Sequence, residues 1–92
     1  MPNRDLTGKV CIVTGAGSGL GRAMTLALTA SGATVEGVDV SLEGMEETKT
    51  AITSNNFLPV KADITSVEDA NNAIKTAIEK LNGLHVLINC AG

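Results

Sequence analysis

The sequence predicts an α/β fold, a parallel sheet with helices packed against it, in the order βαβαβαβ. Three observations carry that expectation. Four short apolar runs alternate with three stretches of helical periodicity, and alternation of this kind builds parallel sheets. The connections are short, with no repeat, low-complexity tract or linker in 92 residues. The first apolar run, Val10-Cys11-Ile12-Val13, leads into Thr14-Gly15-Ala16-Gly17-Ser18-Gly19-Leu20-Gly21 and then a helical pattern. A glycine-rich turn between strand and helix lets backbone N–H groups and the positive end of the helix dipole approach a phosphate with no Cβ in the way. The turn is therefore the candidate seat of a dinucleotide pyrophosphate.

The first strand, Lys9 to Thr14, is apolar on both faces, as a central parallel strand should be. The helix after it begins near Leu20 and places Leu20, Ala23, Met24, Ala27 and Leu28 on one face. Ser31-Gly32 ends it, Gly32 serving as a left-handed cap. A second strand, Thr34 to Val40, closes on Asp39. The second helix, Leu42 to Ser54, has Ser41 as its N-cap. Gly44 interrupts it, and its apolar face (Leu42, Met45, Ile52) is thin. A short third strand, Phe57 to Ala62, contains Pro59 and so belongs at a sheet edge. Thr65-Ser66-Val67-Glu68 has the form of a capping box. The helix it opens carries Val67, Ala70, Ile74, Ile78 and Leu81 at steps of three and four. Asn82-Gly83 stops that helix, and a fourth strand runs from Leu84 to Asn89.

Right-handed crossovers arrange these strands in the order 3-2-1-4. The first two helices then cover one face and the third covers the other, a Rossmann-type three-layer sandwich with a partial parallel sheet. The change of direction between strands 1 and 4 opens a crevice at their carboxyl ends. Thr14–Gly21 and residues 89–92 both end there.

Composition narrows the class further. The core has to be built from Val, Ile, Leu, Ala and Met, since there is one Phe and neither Trp nor Tyr. A net charge of −3 leaves no basic footprint, which argues against nucleic acid and anionic membrane as partners. A polar N-terminus without an apolar h-region, and the lack of any run near membrane-spanning length, point to a soluble, cytoplasmic protein. Cys11 and Cys90 fall near opposite ends of two parallel strands, too far apart to bridge, and are read as reduced and buried.

Asp39 stands eighteen positions beyond Gly21, at the end of the second strand. A carboxylate there can accept both hydroxyl hydrogens of an adenosine ribose. An isolated aspartate would be read as a solvated turn residue, but its distance from the glycine turn favours the ribose. It would repel a 2′-phosphate, and no basic residue immediately precedes Gly19 or immediately follows Asp39, so NAD is expected rather than NADP. Asp63 can accept from an adenine amino group with Ile64 packed on the ring. It can equally serve as a helix-terminal charge before Thr65. Arg22, just inside the first helix, could be taken for a phosphate ligand but is read as a surface residue of that helix.

With these residues in place, the chain resembles the N-terminal part of the short-chain dehydrogenase/reductase family. Thr14-Gly15-xxx-Gly19-x-Gly21 matches that family's cofactor turn and Asp63-Ile64 its adenine-contacting pair. Asn89-Cys90-Ala91-Gly92 looks like its Asn-Asn-Ala-Gly motif. The resemblance spans the whole chain. It implies that Gly15, Ser18, Gly19, Leu20 and Gly21 line the pyrophosphate and the neighbouring ribose. It assigns Asp39 to the adenosine ribose, and Asp63 and Ile64 to the adenine. Asn89 and Ala91 border the cofactor ribose, largely through backbone, and Thr14 ties the first strand to the fourth. His85 departs from the family, where an Asp usually steadies the sheet, and Cys90 replaces the second Asn. Glu36 and Gly37, inside a strand expected to be apolar, have no functional account at this level.

Members of the family transfer hydride between a nicotinamide and a small alcohol or carbonyl substrate, using a Tyr, a Lys and a Ser. This chain contains no tyrosine. Residues 1–92 are accordingly expected to be the NAD(P)-binding segment, cut after the fourth strand, with no catalytic residue and no metal site of their own. The alternative is a stand-alone nucleotide-binding or interaction module without catalysis, associating with itself through the exposed edge of strand 4.

Overall fold

The computed structural model describes residues 6–90. Seven elements follow one another: β1 (Val10–Thr14), α1 (Gly19–Ala30), β2 (Thr34–Asp39), α2 (Leu42–Thr50), β3 (Phe57–Lys61), α3 (Val67–Leu81) and β4 (Val86–Asn89). The four strands form one parallel sheet in the order β3-β2-β1-β4, as the crossover argument requires. Alternation along β1 divides the core into two layers. Val10 and Ile12 join Val38, Ala62, Ala73 and Ala77 beneath α3. Cys11 and Val13 join Ala16, Ala33 and Val35 on the opposite face, with Leu28 of α1 against them.

The helices are rotated from the faces that hydrophobicity marks. In α1 the buried residues are Gly21, Thr25 and Thr29, while Leu20 is 68% exposed and Ala23 and Ala27 are also exposed. Gly21 sets this rotation. A Cβ at that position would lie 2.0 Å from the Gly15 carbonyl oxygen, so only the glycine stripe of the helix can meet the turn. The two threonines on the same stripe hide their hydroxyls by donating to the carbonyls one turn back, Thr25 to Gly21 (2.8 Å) and Thr29 to Thr25 (2.9 Å). In α3 the small Ala73 and Ala77 are buried, whereas Val67, Ile74 and Ile78 are exposed. Alanines permit the closest approach of helix to sheet, and the larger side chains flank that line.

The termini show a similar mixture of agreement and correction. Ser41 caps α2, accepting from Gly44 N at 3.0 Å, as its position predicts. The helix ends at Thr50 rather than Ser54, where Ala51 and Ile52 tighten onto Thr48 and Lys49. For α3 the cap is Ser66, which accepts from Asp69 N at 3.2 Å, not Thr65 with Glu68. Asp69 also accepts from Asp63 N (2.8 Å), so its carboxylate fastens the preceding loop. Asn82 closes α3 in the left-handed conformation, φ 67°.

The strand positions that break the apolar pattern have physical reasons here. β3 is a sheet edge, which accommodates Pro59. Gly37 leaves room for the Phe57 ring, whose atoms would lie 2.4 and 2.5 Å from a Cβ at 37. His85 accepts a hydrogen bond from Val10 N through Nδ1 (2.9 Å) and donates its own N–H to Val10 O (2.8 Å), stitching β4 to β1. Cys11 and Cys90 are both free thiols. Cys11 is buried, which pushes its pKa up, and sits opposite Val86; Cys90 is only half-buried.

Candidate functional site

The glycine turn is held from beneath by β2. Gly15 N donates to Val38 O at 2.7 Å, and both Gly15 (φ 71°) and Gly19 (φ 53°) occupy the left-handed region that favours glycine. The turn then delivers α1 with an unusual N-terminus. Ser18 makes no side-chain hydrogen bond across it, and no acidic residue stands in the first turn. By contrast α2 and α3 each have a serine cap and a first-turn carboxylate. A Cβ at Gly19 would meet nothing within 4 Å, so the space over the start of α1 is open. Leu20 belongs to this rim through its backbone, its side chain being exposed.

Asp39 ends β2 beside the turn. Its Oδ2 accepts from Gly17 N (2.9 Å) and its Oδ1 from Ser41 N (3.0 Å). The carboxylate is thus anchored at both oxygens, and each retains lone pairs for a further donor. A cleft of about 170 Å³ runs from Gly15 past Asp39 and Val40 to Asp63, Ile64 and Thr65. The structure therefore brings Gly15, Asp39, Asp63 and Ile64 to one depression. Asp63 Oδ1 accepts from Thr65 Oγ1 (2.6 Å) and Thr65 N (2.9 Å), and these bonds hold its carboxyl below the usual range. These bonds fasten Asp63 to the loop that precedes α3.

Asn89 lies apart from that cleft, at the end of β4. Its Oδ1 accepts from Thr14 Oγ1 (2.7 Å), and Thr14 Oγ1 accepts from Cys90 N (3.1 Å). The strand-tying role of Thr14 is present as the motif implies. A smaller cavity of about 90 Å³ lies between these residues and α3, bordered by Ile64, Ile74 and Leu87. Ala91 lies outside the described residues. Among the described residues no group of three or more His, Cys, Asp or Glu could hold a metal ion.

Arg22 is not the free surface residue its position predicts. It is half-buried and bonded to the glycine turn and to α2. Gly17, Gly44 and Thr48 belong to the same assembly, and sequence reasoning singled out none of them for the site. A Cβ on Gly44 would stand 2.6 Å from Gly17 O, so the glycine that weakens α2 is the one that lets it touch the turn. The sequence marks Gly44 only as an interruption of the second helix. The partners of Arg22 lie on another helix, and no local pattern connects them.

A parallel sheet with an open switch point and a glycine turn under an uncapped helix defines a Rossmann-type unit. Comparison with known proteins makes this narrower. The family model for short chain dehydrogenases matches residues 9–92, and the chain belongs to that family. It is 36% identical over 88 residues to the short-chain dehydrogenase/reductase VdtF of Byssochlamys spectabilis, covering 96% of this chain and 29% of that protein. The crystal structure of a hydroxysteroid dehydrogenase from Escherichia coli superposes with a TM-score of 0.89 at 30% identity, over 95% of this chain and 38% of the other. The 3-ketoacyl-(acyl-carrier-protein) reductase of Brucella melitensis, complexed with NADH, gives 0.84 at 36% identity, over 90% and 34%. The chain thus spans roughly a third of the length of these relatives. No helix among the described residues is long and apolar enough to cross a membrane.

Proposed function

We propose that residues 1–92 form the NAD-binding N-terminal portion of a short-chain dehydrogenase/reductase, an oxidoreductase acting between a nicotinamide and a small alcohol or carbonyl. The observation that carries this reading is the pairing of an uncapped α1 N-terminus with a carboxylate at the end of the neighbouring strand. These residues fit the cofactor. The open space at Gly19 admits a pyrophosphate, and the backbone N–H groups of residues 18–21 supply donors without a competing side chain. Asp39 would accept from the ribose hydroxyls, with Asp63 and Ile64 along the adenine. Asn89 and Ala91 would border the other ribose.

When bound, the dinucleotide supplies the hydride chemistry. What these residues contribute is binding and orientation. They include no tyrosine, so in this reading the proton is exchanged by side chains outside the 92 residues. The two free cysteines support a reducing, cytoplasmic setting.

Preference for NAD over NADP rests on Asp39, because a carboxylate beside a 2′-phosphate is repulsive. We expect Asp39→Ala in the native protein to weaken NADH binding about tenfold, the worth of a charge-assisted hydrogen bond. NADPH binding should stay level or improve, as followed by nicotinamide fluorescence titration. An unchanged ratio between the two cofactors would overturn the assignment of Asp39.

A further inference from the structure

Arg22 reaches back from the first turn of α1 to grip the turn that precedes it. Nη2 donates to Gly17 O, to Gly44 O (3.1 Å) and to Glu47 Oε1 (3.1 Å), and Nε donates to Thr48 Oγ1 (2.8 Å). Thr48, fully buried, in turn donates a hydrogen bond from its hydroxyl to Ala16 O at 2.8 Å. Two successive carbonyls of the glycine turn, Ala16 and Gly17, are therefore held by one linked pair of side chains. In a trans peptide the carbonyl and the following N–H point in opposite directions. Holding Ala16 O aims Gly17 N–H, and that group meets Asp39 Oδ2 at 2.9 Å. Holding Gly17 O aims Ser18 N–H the opposite way, off the side that Arg22 occupies.

We propose that Arg22 is a positioning residue for the dinucleotide site, orienting the peptide planes on both sides of Gly17 so that one N–H fixes Asp39 and the next is presented to the pyrophosphate. The proposal rests on the cofactor reading above. Direct phosphate binding by Arg22 fits less well, because Nε and Nη2 are committed to the protein and Glu47 balances the charge. The planar fork matters here. It spans a carbonyl on the turn and a carbonyl and hydroxyl on α2 together, which a lysine ammonium on a flexible stem does not reproduce.

The test compares native protein with Arg22→Met, Arg22→Lys, Asp39→Ala and the Arg22→Met/Asp39→Ala double variant. NADH and NADPH affinities are measured, together with amide hydrogen exchange at Gly17. Arg22→Met should weaken NADH binding about tenfold and erode the NADH preference in the same sense as Asp39→Ala. The double variant should lose less than the product of the single losses, because both act through the Gly17 peptide. Gly17 exchange should accelerate at least severalfold, and Arg22→Lys should fall between the two. Independent, multiplying losses with an unchanged cofactor ratio would overturn the proposal, as would unchanged affinity. If Arg22→Met does not fold, Arg22→Lys decides by the same criteria. Failure of the native protein to bind NADH would overturn the cofactor reading instead, leaving the grip on Gly17 to be judged by exchange alone.

Discussion

At the scale of single residues, Glu36 is the sharpest conflict between chemistry and place. It sits in mid-β2, in register with Ile12 on one side and Leu58 on the other, and is 0% exposed. Neither carboxylate oxygen has a hydrogen-bond partner. Its face of the sheet is shared with Val10 and Ile12 of β1, Val60 of β3, and Ala73 and Ala77 of α3, none of them titratable. Burial pushes its pKa from 4.5 up to about 7. The folded chain thus keeps a proton that the unfolded chain releases at lower pH. Stability from this group is intact below about pH 4.5 and is lost as pH rises through about 7. The loss is at most about 3 kcal/mol. Urea unfolding between pH 4.5 and 8 should show this decline, and Glu36→Gln should flatten it. A parallel decline in the variant would place the titration elsewhere. Nothing in the local pattern around Glu36 and Gly37 reveals their surroundings. The reason for Gly37 is the Phe57 ring, which comes from a strand twenty residues on.

At the scale of elements, what was legible and what was not divide along one line. Strand positions, their order and the Ser41 cap follow from alternation, crossover handedness and cap chemistry, which are local or topological. Gly15, Asp39, Asp63 and Ile64 could be brought to one cleft on the same grounds, since each lies at or just past the carboxyl end of a strand. The rotations of α1 and α3 could not. They depend on how near a helix axis comes to the layer beneath, and that distance is set by Gly21 against Gly15 and by the paired alanines of α3. A hydrophobic count rewards the larger side chains and so marks a stripe of which only part, Leu28 and Leu81 among it, reaches the core. His85 shows the opposite case, a residue whose departure from the family pattern is harmless because Nδ1 performs the acceptor's task at Val10 N. His85→Leu should orphan that buried N–H and cost about 1–2 kcal/mol in urea unfolding. His85→Asp, which restores an acceptor, should cost less. Equal losses in the two variants would mean that the ring contributes by packing.

At the scale of the whole molecule, the sheet has one guarded edge and one open one. β3 carries Pro59 and the exposed Lys61, features that discourage further pairing. β4 has β1 on one side only, and it exposes Val86 (40%) and Leu87 (57%) on its two faces. Beside Leu87, α3 adds the exposed Ile74 and Ile78. An open backbone row flanked by apolar side chains is a template for another strand. We therefore expect the isolated 92-residue chain to associate with itself through β4, its sedimentation coefficient rising with concentration. Leu87→Lys puts a charge on that edge without touching the glycine turn or Asp39. It should hold the chain monomeric, since charged edge residues act against pairing. A wild-type chain that sediments as a monomer at every concentration would refute the edge as an association surface. If association persisted in Leu87→Lys, the contact would lie elsewhere, and Ile78→Lys would show whether the outer row of α3 provides it.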